Sequence, residues 1–146
     1  MLKKILTVAG SMICAASLML SPAMAEEGKR YDDSVKWKNV VKITYKIGKR
    51  DDALKIIRDY YQVASEKAKT PMPEMVMEMH TGDYDLLVIW HMQNGIEDMT
   101  WETNPDSVAW RKALNDVAGS EEKAQEILDE YVSYIAHAEN EIALVR

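Results

Sequence analysis

Apolar and polar residues alternate along VVKITYKI, which predicts a β-strand from Val40 to Ile47. One face of that strand is apolar and consists of Val41, Ile43, Tyr45 and Ile47. After a turn at Gly48, apolar residues recur at helical spacing, which predicts an amphipathic helix from Asp52 to Lys69. Asp51 or Asp52 is the expected N-cap, and Pro71 ends the helix because proline cannot continue it.

The stretch EMVMEMHTGDYDLLVIWHM predicts a β-hairpin with a two-residue turn at Gly82-Asp83. The expected pairs are Met75 with Trp90, Met77 with Val88 and Met79 with Leu86. In this register the methionines face the helices, and Val76, Leu87 and Ile89 lie on the reverse face. The second strand is almost wholly apolar, as expected of a central strand that is covered on both faces.

The three methionines allow two interpretations. Thioether sulfur is a soft ligand, so Met75, Met77 and Met79 could bind copper(I). Alternate side chains of a strand are about 6.5 Å apart, however, which is too wide for three sulfurs on one ion. Methionine is also an adaptable core residue, and this chain has no phenylalanine. Core packing is therefore the favoured interpretation, and no metal site is predicted.

The C-terminal part contains two helices and a final strand. Asn104 caps a helix with Pro105 at its first position, and Gly119 follows its end. Ser120 caps a second helix whose apolar stripe extends to Ala138, and the segment 141–146 is predicted to be a strand. The order β-α-β-β-α-β, with the second helix split in two, predicts an α+β ferredoxin-like domain. Such a domain has an antiparallel four-stranded sheet, and its usual strand order is 4-1-3-2.

Residues 1–25 have the features of a signal peptide. Lys3 and Lys4 precede an apolar stretch, and Ala23 and Ala25 form an A-x-A cleavage pattern. We therefore expect cleavage after Ala25, a periplasmic or secreted protein, and no membrane attachment after cleavage. Residues 26–38 are interpreted as an N-terminal extension and residues 39–146 as the domain.

The amino-acid composition argues against disulfides, thiolate catalysis and nucleic-acid binding in the exported chain. The only cysteine, Cys14, lies in the predicted signal peptide, so the exported chain is expected to lack a disulfide and a catalytic thiolate. The chain has 18 basic and 24 acidic residues and a net charge of −6, and loss of Lys3 and Lys4 makes it more negative. Nucleic acid is therefore not an expected partner, because phosphate binding requires a basic patch.

The sequences YKIGKRDDALKII and TGDYDLLVIW resemble those of the dimeric α+β barrel superfamily. This superfamily includes antibiotic-biosynthesis monooxygenases, haem-degrading monooxygenases and NIPSNAP-like domains. The resemblance covers about residues 39–146 and implies a ferredoxin-like fold and a homodimer. A separate reason for a homodimer is the predicted reverse face of the sheet, where three exposed aliphatic side chains would form an apolar patch. The catalytic Asn, Trp and His set of the haem-degrading members has no counterpart here that can be placed residue by residue.

Aromatic residues are the candidates for a ligand site. In domains that this chain resembles, a small organic ligand lies between the sheet and the helices. Tyr45 and Trp90 are then expected to line such a pocket, and Trp101 to lie in a loop that covers it. His91 and Glu102 are candidates for proton transfer, because both titrate and lie near this region.

Three functions fit these observations. The first is an exported homodimer that binds a small apolar or aromatic molecule or acts as an interaction module, with no cofactor. The second is a cofactor-independent monooxygenase-like enzyme that uses a pocket between sheet and helices. The third is a haem- or copper-handling periplasmic protein.

Overall fold

The computed structural model describes residues 28–32 and 34–146. The predicted signal peptide and its cleavage point after Ala25 lie outside the described residues. The elements in chain order are β1 (Lys36–Tyr45), α1 (Arg50–Ile56), a π-helical turn (Ile57–Tyr61), α2 (Gln62–Ala68), β2 (Met75–Glu78), β3 (Leu86–His91), a 3-10 helix (Gly95–Thr100), α3 (Pro105–Ala118), α4 (Glu121–Tyr134) and β4 (Ile135–Val145). No helix in the described part of the chain combines the length and the apolar character needed to cross a bilayer.

The four strands form one antiparallel sheet in the order β2-β3-β1-β4. This order and the β-α-β-β-α-β succession make the chain a ferredoxin-like α+β domain, so the predicted fold class is confirmed. The central strands are β1 and β3, as expected from the apolar character of LLVIW. The split of the second helical segment into α3 and α4 is also confirmed.

One face of the sheet, here called the helix face, packs against the helices. Its buried core contains Ile43 and Tyr45 of β1, Leu86 and Val88 of β3, and Ala53 of α1. Burial of each large aliphatic side chain stabilises the fold by roughly 1.5–3 kcal/mol.

A second buried cluster lies between the helices. Ala64 of α2, Ala113 and Leu114 of α3, and Ala124 of α4 have at most 5% of their surface exposed. Alanines at these positions permit close approach of the three helices.

The termini of the C-terminal helices follow the prediction. The side chain of Asn104 accepts a hydrogen bond from the Asp106 amide at 2.8 Å, and that of Ser120 accepts one from the Lys123 amide at 3.2 Å. Gly119 ends α3 in the left-handed region at φ 91°, which glycine adopts without steric cost.

The first strand and the first helix begin earlier than predicted. Strand β1 starts at Lys36 and ends at Tyr45, and Ile47 lies beyond it, fully exposed at the turn. Helix α1 has Lys49 at its N-cap with no side-chain cap, and Asp51 and Asp52 lie in the first turn. The predicted aspartate cap is therefore wrong, although both carboxylates still stabilise the positive end of the helix.

The register of the hairpin differs by one residue from the prediction. Met75 pairs with Ile89, Val76 with Val88, Met77 with Leu87 and Glu78 with Leu86. Because side chains alternate between faces, this shift transfers every residue of β2 to the other face. The methionines therefore do not face the helices: Met75, Met77 and Met79 are 49%, 36% and 36% exposed.

The connection between β2 and β3 explains this register. It is not a two-residue turn but a loop over residues 79–85 that binds to the end of β1. The Asp85 amide donates to the Ile43 carbonyl at 2.8 Å, and the Asp85 carboxylate accepts from the Tyr45 amide at 2.7 Å. The Thr44 hydroxyl also donates to the Asp83 carbonyl at 2.6 Å. These long-range bonds fix the start of β3 independently of the turn.

The last strand is longer than predicted. Strand β4 begins at Ile135, immediately after α4, instead of at Glu141. The spacing of Ile135 and Ala138 continues the apolar stripe of α4, so the sequence pattern predicts helix at both positions. Both instead pair with β1, opposite Tyr45 and Ile43 respectively.

Candidate functional site

A cavity of about 960 Å³ opens between the helix face of the sheet and the segment that follows β3. Its floor is formed by β1, β3 and β4, one wall by the end of α2, and the other wall by the start of α3. The volume lies in the upper part of the range of about 300–1,000 Å³ that is usual for small-molecule sites.

The floor of the cavity contains an amide where a core strand would normally have an apolar residue. Asn39 pairs with Trp90 of β3 and with Ile142 of β4, and all three line the cavity. The Oδ1 atom of Asn39 is buried and has no hydrogen-bond partner among the described residues. An unpaired buried polar atom costs about 1–3 kcal/mol, so the site favours any group that satisfies it.

The wall at the end of α2 contributes two hydroxyl groups. Helix α2 ends with Lys69 in the left-handed region at φ 55°, and the Thr70 amide donates back to the Ser65 carbonyl at 3.2 Å. This turn brings Ser65, which is 8% exposed, and Thr70 to the cavity. The Oγ1 atom of Thr70 is a second buried polar atom without a partner among the described residues.

The opposite wall is built by local hydrogen bonds. The Asp98 carboxylate accepts from the backbone amide of Asn94 at 3.2 Å and from its side-chain Nδ2 at 2.7 Å, which fixes the 3-10 helix. Trp101 follows this helix and is 54% exposed at the cavity mouth. Asn104, the N-cap of α3, completes this wall.

The third indole of the cavity, Trp110, is fixed by the π-helical turn. Its Nε1 donates to the Tyr61 carbonyl at 3.2 Å, and its ring meets the Tyr61 ring edge-on at 5.3 Å. A π-helical turn shifts the usual i→i+4 bonding, and here the Gln62 amide donates to the Ile57 carbonyl instead. The turn therefore gives Trp110 a backbone acceptor and a defined orientation.

The electrostatic character of the cavity is neutral to acidic. The described residues that line the cavity include two aspartates, Asp98 and Asp106, but no lysine or arginine. Both carboxylates have stabilising partners, since Asp98 accepts hydrogen bonds from Asn94 and Asp106 lies at the positive end of α3. Apart from His91, the positive end of α3 is therefore the source of positive charge in the described lining, and the Asp106 carboxylate already lies in its first turn.

The sequence-predicted site residues do not all meet at this cavity. Trp90, Trp101 and His91 line it. Tyr45 lies in the core, where its hydroxyl is 3.2 Å from the Tyr131 hydroxyl, and Glu102 is exposed on the segment between the 3-10 helix and α3 without lining the cavity. The roles assigned to these five residues stay predictions.

His91 also belongs to a small polar cluster that the sequence pattern did not indicate. Its Nδ1 lies 3.3 Å from the Nζ of Lys38, which is only 7% exposed and forms an ion pair with Glu74. The hydrogen bond from Lys38 lowers the pKa of the Glu74 carboxyl below its ordinary value. With Lys38 donating to Nδ1, the neutral ring of His91 carries its proton on Nε2.

Three tyrosines connect the sheet core to the helix cluster. Tyr131 meets Tyr45 and Tyr61 edge-on, with ring centroids 6.3 and 5.1 Å away. Burial raises the pKa of all three hydroxyls above the ordinary value of 10.0, because the charged tyrosinate is poorly solvated there.

Sequence reasoning missed Asn39, Ser65 and Thr70. Asn39 carried a usable signal, since it interrupts the apolar face that Trp37, Val41 and Ile43 otherwise continue. Ser65 and Thr70 carried none, because serine within a helix and threonine after it are common on surfaces. Within residues 28–32 and 34–146, no group of three or more His, Cys, Asp or Glu side chains is arranged to hold a metal ion.

Comparison with known proteins gives structural neighbours only. No protein-family model and no curated protein matches the sequence. An uncharacterized NIPSNAP domain protein from Burkholderia xenovorans is 15% identical, with a TM-score of 0.47 over 75% of this chain and 94% of that one. Two NIPSNAP family proteins from Agrobacterium tumefaciens are 15% and 13% identical. For the first, the TM-score is 0.46, and the match covers 75% of the present chain and 87% of the Agrobacterium chain. For the second, the TM-score is 0.47, and the match covers 81% of the present chain and 91% of the Agrobacterium chain. The structural neighbours are thus NIPSNAP-family proteins, a group already named in the resemblance drawn from the sequence.

Proposed function

We propose that this chain is an exported, homodimeric binding protein that holds a small organic molecule in the cavity between the sheet and α3. The observation that carries this proposal is that Asn39 and Thr70, which both line the cavity, each have a buried polar atom, Oδ1 and Oγ1 respectively, without a hydrogen-bond partner among the described residues. No hydrogen bond among the described residues holds the Asn39 side chain. Rotation of the amide about χ2 therefore breaks no hydrogen bond when the group turns toward a ligand.

The surrounding lining supports a ligand in preference to a packing defect. Trp90, Trp101 and Trp110 provide flat apolar surface, and convergent amide and hydroxyl groups provide a means of orientation. An apolar surface with a few placed polar groups is the usual composition of a small-molecule site. The lining is more polar than the apolar pocket that the sequence predicted.

Native mass spectrometry of the protein purified from cells without denaturation tests the proposal. We expect a retained molecule in the wild-type protein and a lower occupancy in Asn39→Ala. The matched control is Asn115→Ala, because the Asn115 Oδ1 is likewise buried without a partner among the described residues but this residue of α3 does not line the cavity. Equal occupancy in both variants, or no retained molecule together with no melting-temperature shift in a broad ligand screen, contradicts it.

The proposed dimer forms through the open face of the sheet, which is the face opposite the helices. Met75 and Met77 share this face with Leu87 and Ile89 because of the observed register. Lys42 on the same face bonds to Glu141 at 2.9 Å, so the surface carries both charge signs. A two-fold interface brings the same face of two copies together, so a face with apolar side chains and both charge signs suits a second copy of the chain as the occupant.

Sedimentation at tens of micromolar protein tests the dimer. Met75→Lys should weaken association by about a hundredfold, because two copies of the side chain lose their apolar contacts. Val132→Lys is the control, since Val132 is 63% exposed on α4 and lies outside the open face. A monomeric wild-type protein, or equal effects of the two substitutions, contradicts a dimer through this face.

Export rests on the N-terminal segment alone. The intact mass of the protein purified from the periplasm or culture medium should correspond to a chain that begins at Glu26. Recovery of the full-length chain only from the cytosolic fraction would contradict both the cleavage point and the location.

A further inference from the structure

The charge of the cavity restricts the ligand that it accepts. A carboxylate, phosphate or sulfate group would enter a space with two aspartates and, among the described lining residues, no lysine or arginine. Transfer of an anion into such a space costs free energy that no lysine or arginine offsets, and the positive end of α3 already stabilises the Asp106 carboxylate. Anionic molecules are therefore disfavoured.

Organic cations are not favoured either, although aromatic rings and carboxylates can form cation sites. The Asp98 carboxylate already accepts two hydrogen bonds from Asn94, and Asp106 is stabilised by the positive end of α3. A quaternary ammonium group has no N–H or O–H donor, so it would leave the Asn39 oxygen unpaired. A primary ammonium group does carry N–H donors, but it would have to lose its hydration without a carboxylate that lacks a stabilising partner, which disfavours it.

The uncharged polar side chains and the indoles that line the cavity are complementary to a molecule that is apolar on one side and rich in hydrogen-bonding groups on the other. The Asn39 carbonyl accepts, the Asn39 amide nitrogen donates, and the Thr70 and Ser65 hydroxyls do both. Trp90 on the floor and Trp101 at the mouth offer indole surface. The Trp110 Nε1 is already bonded to the Tyr61 carbonyl, so this side chain can contribute only ring surface.

We infer that the ligand is a neutral polyhydroxylated molecule, namely an uncharged mono- or oligosaccharide, held with its C–H face on the indoles and its hydroxyls on Asn39, Ser65 and Thr70. This inference rests on the proposed function, because it assigns a ligand class to the same cavity. A pyranose ring presents axial C–H groups on one face and O–H groups around its edge, which is the combination that the lining demands. The position of Trp101 at the mouth places its indole against a sugar that enters from solvent.

Titration of the natively purified protein with defined probes tests the inference, with tryptophan fluorescence and calorimetry as readouts. The panel contains neutral disaccharides such as maltose and cellobiose, glucuronate as an anion, glucosamine and choline as cations, and indole as an apolar aromatic molecule. We expect a neutral saccharide to bind at least tenfold more tightly than the charged probes and indole.

Variants locate the binding. Asn39→Ala should weaken saccharide binding by about three- to tenfold, the value of one hydrogen bond, whereas Asn115→Ala should leave it unchanged. Trp101→Ala should weaken it by a similar factor, and Trp101→Phe should restore most of the affinity because a ring face remains. Melting curves of each variant verify that the fold is intact.

The outcomes separate the two proposals. Tight binding of a charged or purely apolar probe, sensitive to Asn39→Ala, overturns the saccharide inference and leaves the binding function standing. Saccharide binding that none of the cavity variants changes also overturns the inference, because the site then lies elsewhere. Absence of binding for every probe, together with no molecule retained in native mass spectrometry, overturns both.

Discussion

At the scale of single residues, buried polar atoms without partners divide into two kinds. Asn39 and Thr70 line the cavity, so a change of side-chain rotamer is enough to turn the polar group toward a ligand. Tyr61 does not border it: its hydroxyl is buried beside Tyr131 and is also without a partner among the described residues. An unpaired buried hydroxyl that does not line the cavity, such as that of Tyr61, reduces the stability of the fold without a contact to a ligand there.

Removal of the Tyr61 hydroxyl should therefore increase stability. We expect Tyr61→Phe to raise the free energy of unfolding by about 1 kcal/mol, because the ring contacts remain and the unpaired hydroxyl is lost. Tyr131→Phe is the matched comparison and should lower it by about 1 kcal/mol, since the Tyr131 hydroxyl is 3.2 Å from that of Tyr45. Urea denaturation at neutral pH measures both, and a greater loss in Tyr61→Phe than in Tyr131→Phe would refute this account.

Single-residue features were predictable where the cause is local. The caps at Asn104 and Ser120 depend only on side chains within three residues, and both were predicted correctly. The cap at Lys49 was not, because the helix begins at Arg50, ahead of both aspartates, and the Arg50 side chain is bonded to Glu78 of β2 at 2.8 Å. That ion pair joins residues far apart in sequence, so no local pattern reveals it.

At the scale of elements, the hairpin shows how a long-range contact overrides a local turn signal. Gly82-Asp83 is a plausible tight turn by sequence, yet the loop is positioned by the bonds of Asp83 and Asp85 to β1. Alternation along β2 fits either register, because methionine and valine occupy successive positions. Only the contact with β1 distinguishes the registers, and the sequence alone does not contain it.

The connection between α3 and α4 gives a prediction at this scale. Gly119→Ala should lower the free energy of unfolding by about 1 kcal/mol, because alanine is strained at the observed φ of 91° even though the space around it is open. Gly28→Ala is the control, since Gly28 also has no atom within 4 Å but shows no positive φ. Thermal melts of the two variants should therefore differ, and equal melting temperatures would count against a conformational role for Gly119.

At the scale of the whole molecule, the tyrosine cluster joins the core on the sheet to a helix cluster whose buried residues are mainly alanines. Tyr131 of α4 contacts Tyr45 of β1 and Tyr61 of the π-helical turn, so one residue couples the sheet to both helical segments. The order of the elements and the central position of β1 and β3 were predictable from apolar periodicity. The cluster and the cavity were not, because they depend on how the helices lie on the sheet.

This cluster predicts the response to alkaline pH. The folded-state pKa values of Tyr45, Tyr61 and Tyr131 are raised above the ordinary value of 10.0. Their neutral forms therefore contribute stability that is fully present below about pH 10 and is lost as pH rises toward the folded-state values. We expect the midpoint of urea denaturation to fall above pH 10.

Tyrosinate absorbance provides the check. In the folded protein at pH 11, fewer tyrosines should be ionised than in the urea-unfolded chain at the same pH. The three buried side chains should ionise together with unfolding. If all seven tyrosines ionised freely while the protein stayed folded, the burial described for the cluster would be wrong.

The row of Met75, Met77 and Met79 on the open face also has a chemical consequence. These thioethers are accessible in the isolated chain, so peroxide can convert them to sulfoxides, which are polar and poorly suited to an apolar contact. Their rate of oxidation therefore reports on whether the face is covered: rapid sulfoxide formation marks a bare surface, and protection that weakens on dilution marks one that a second copy shields.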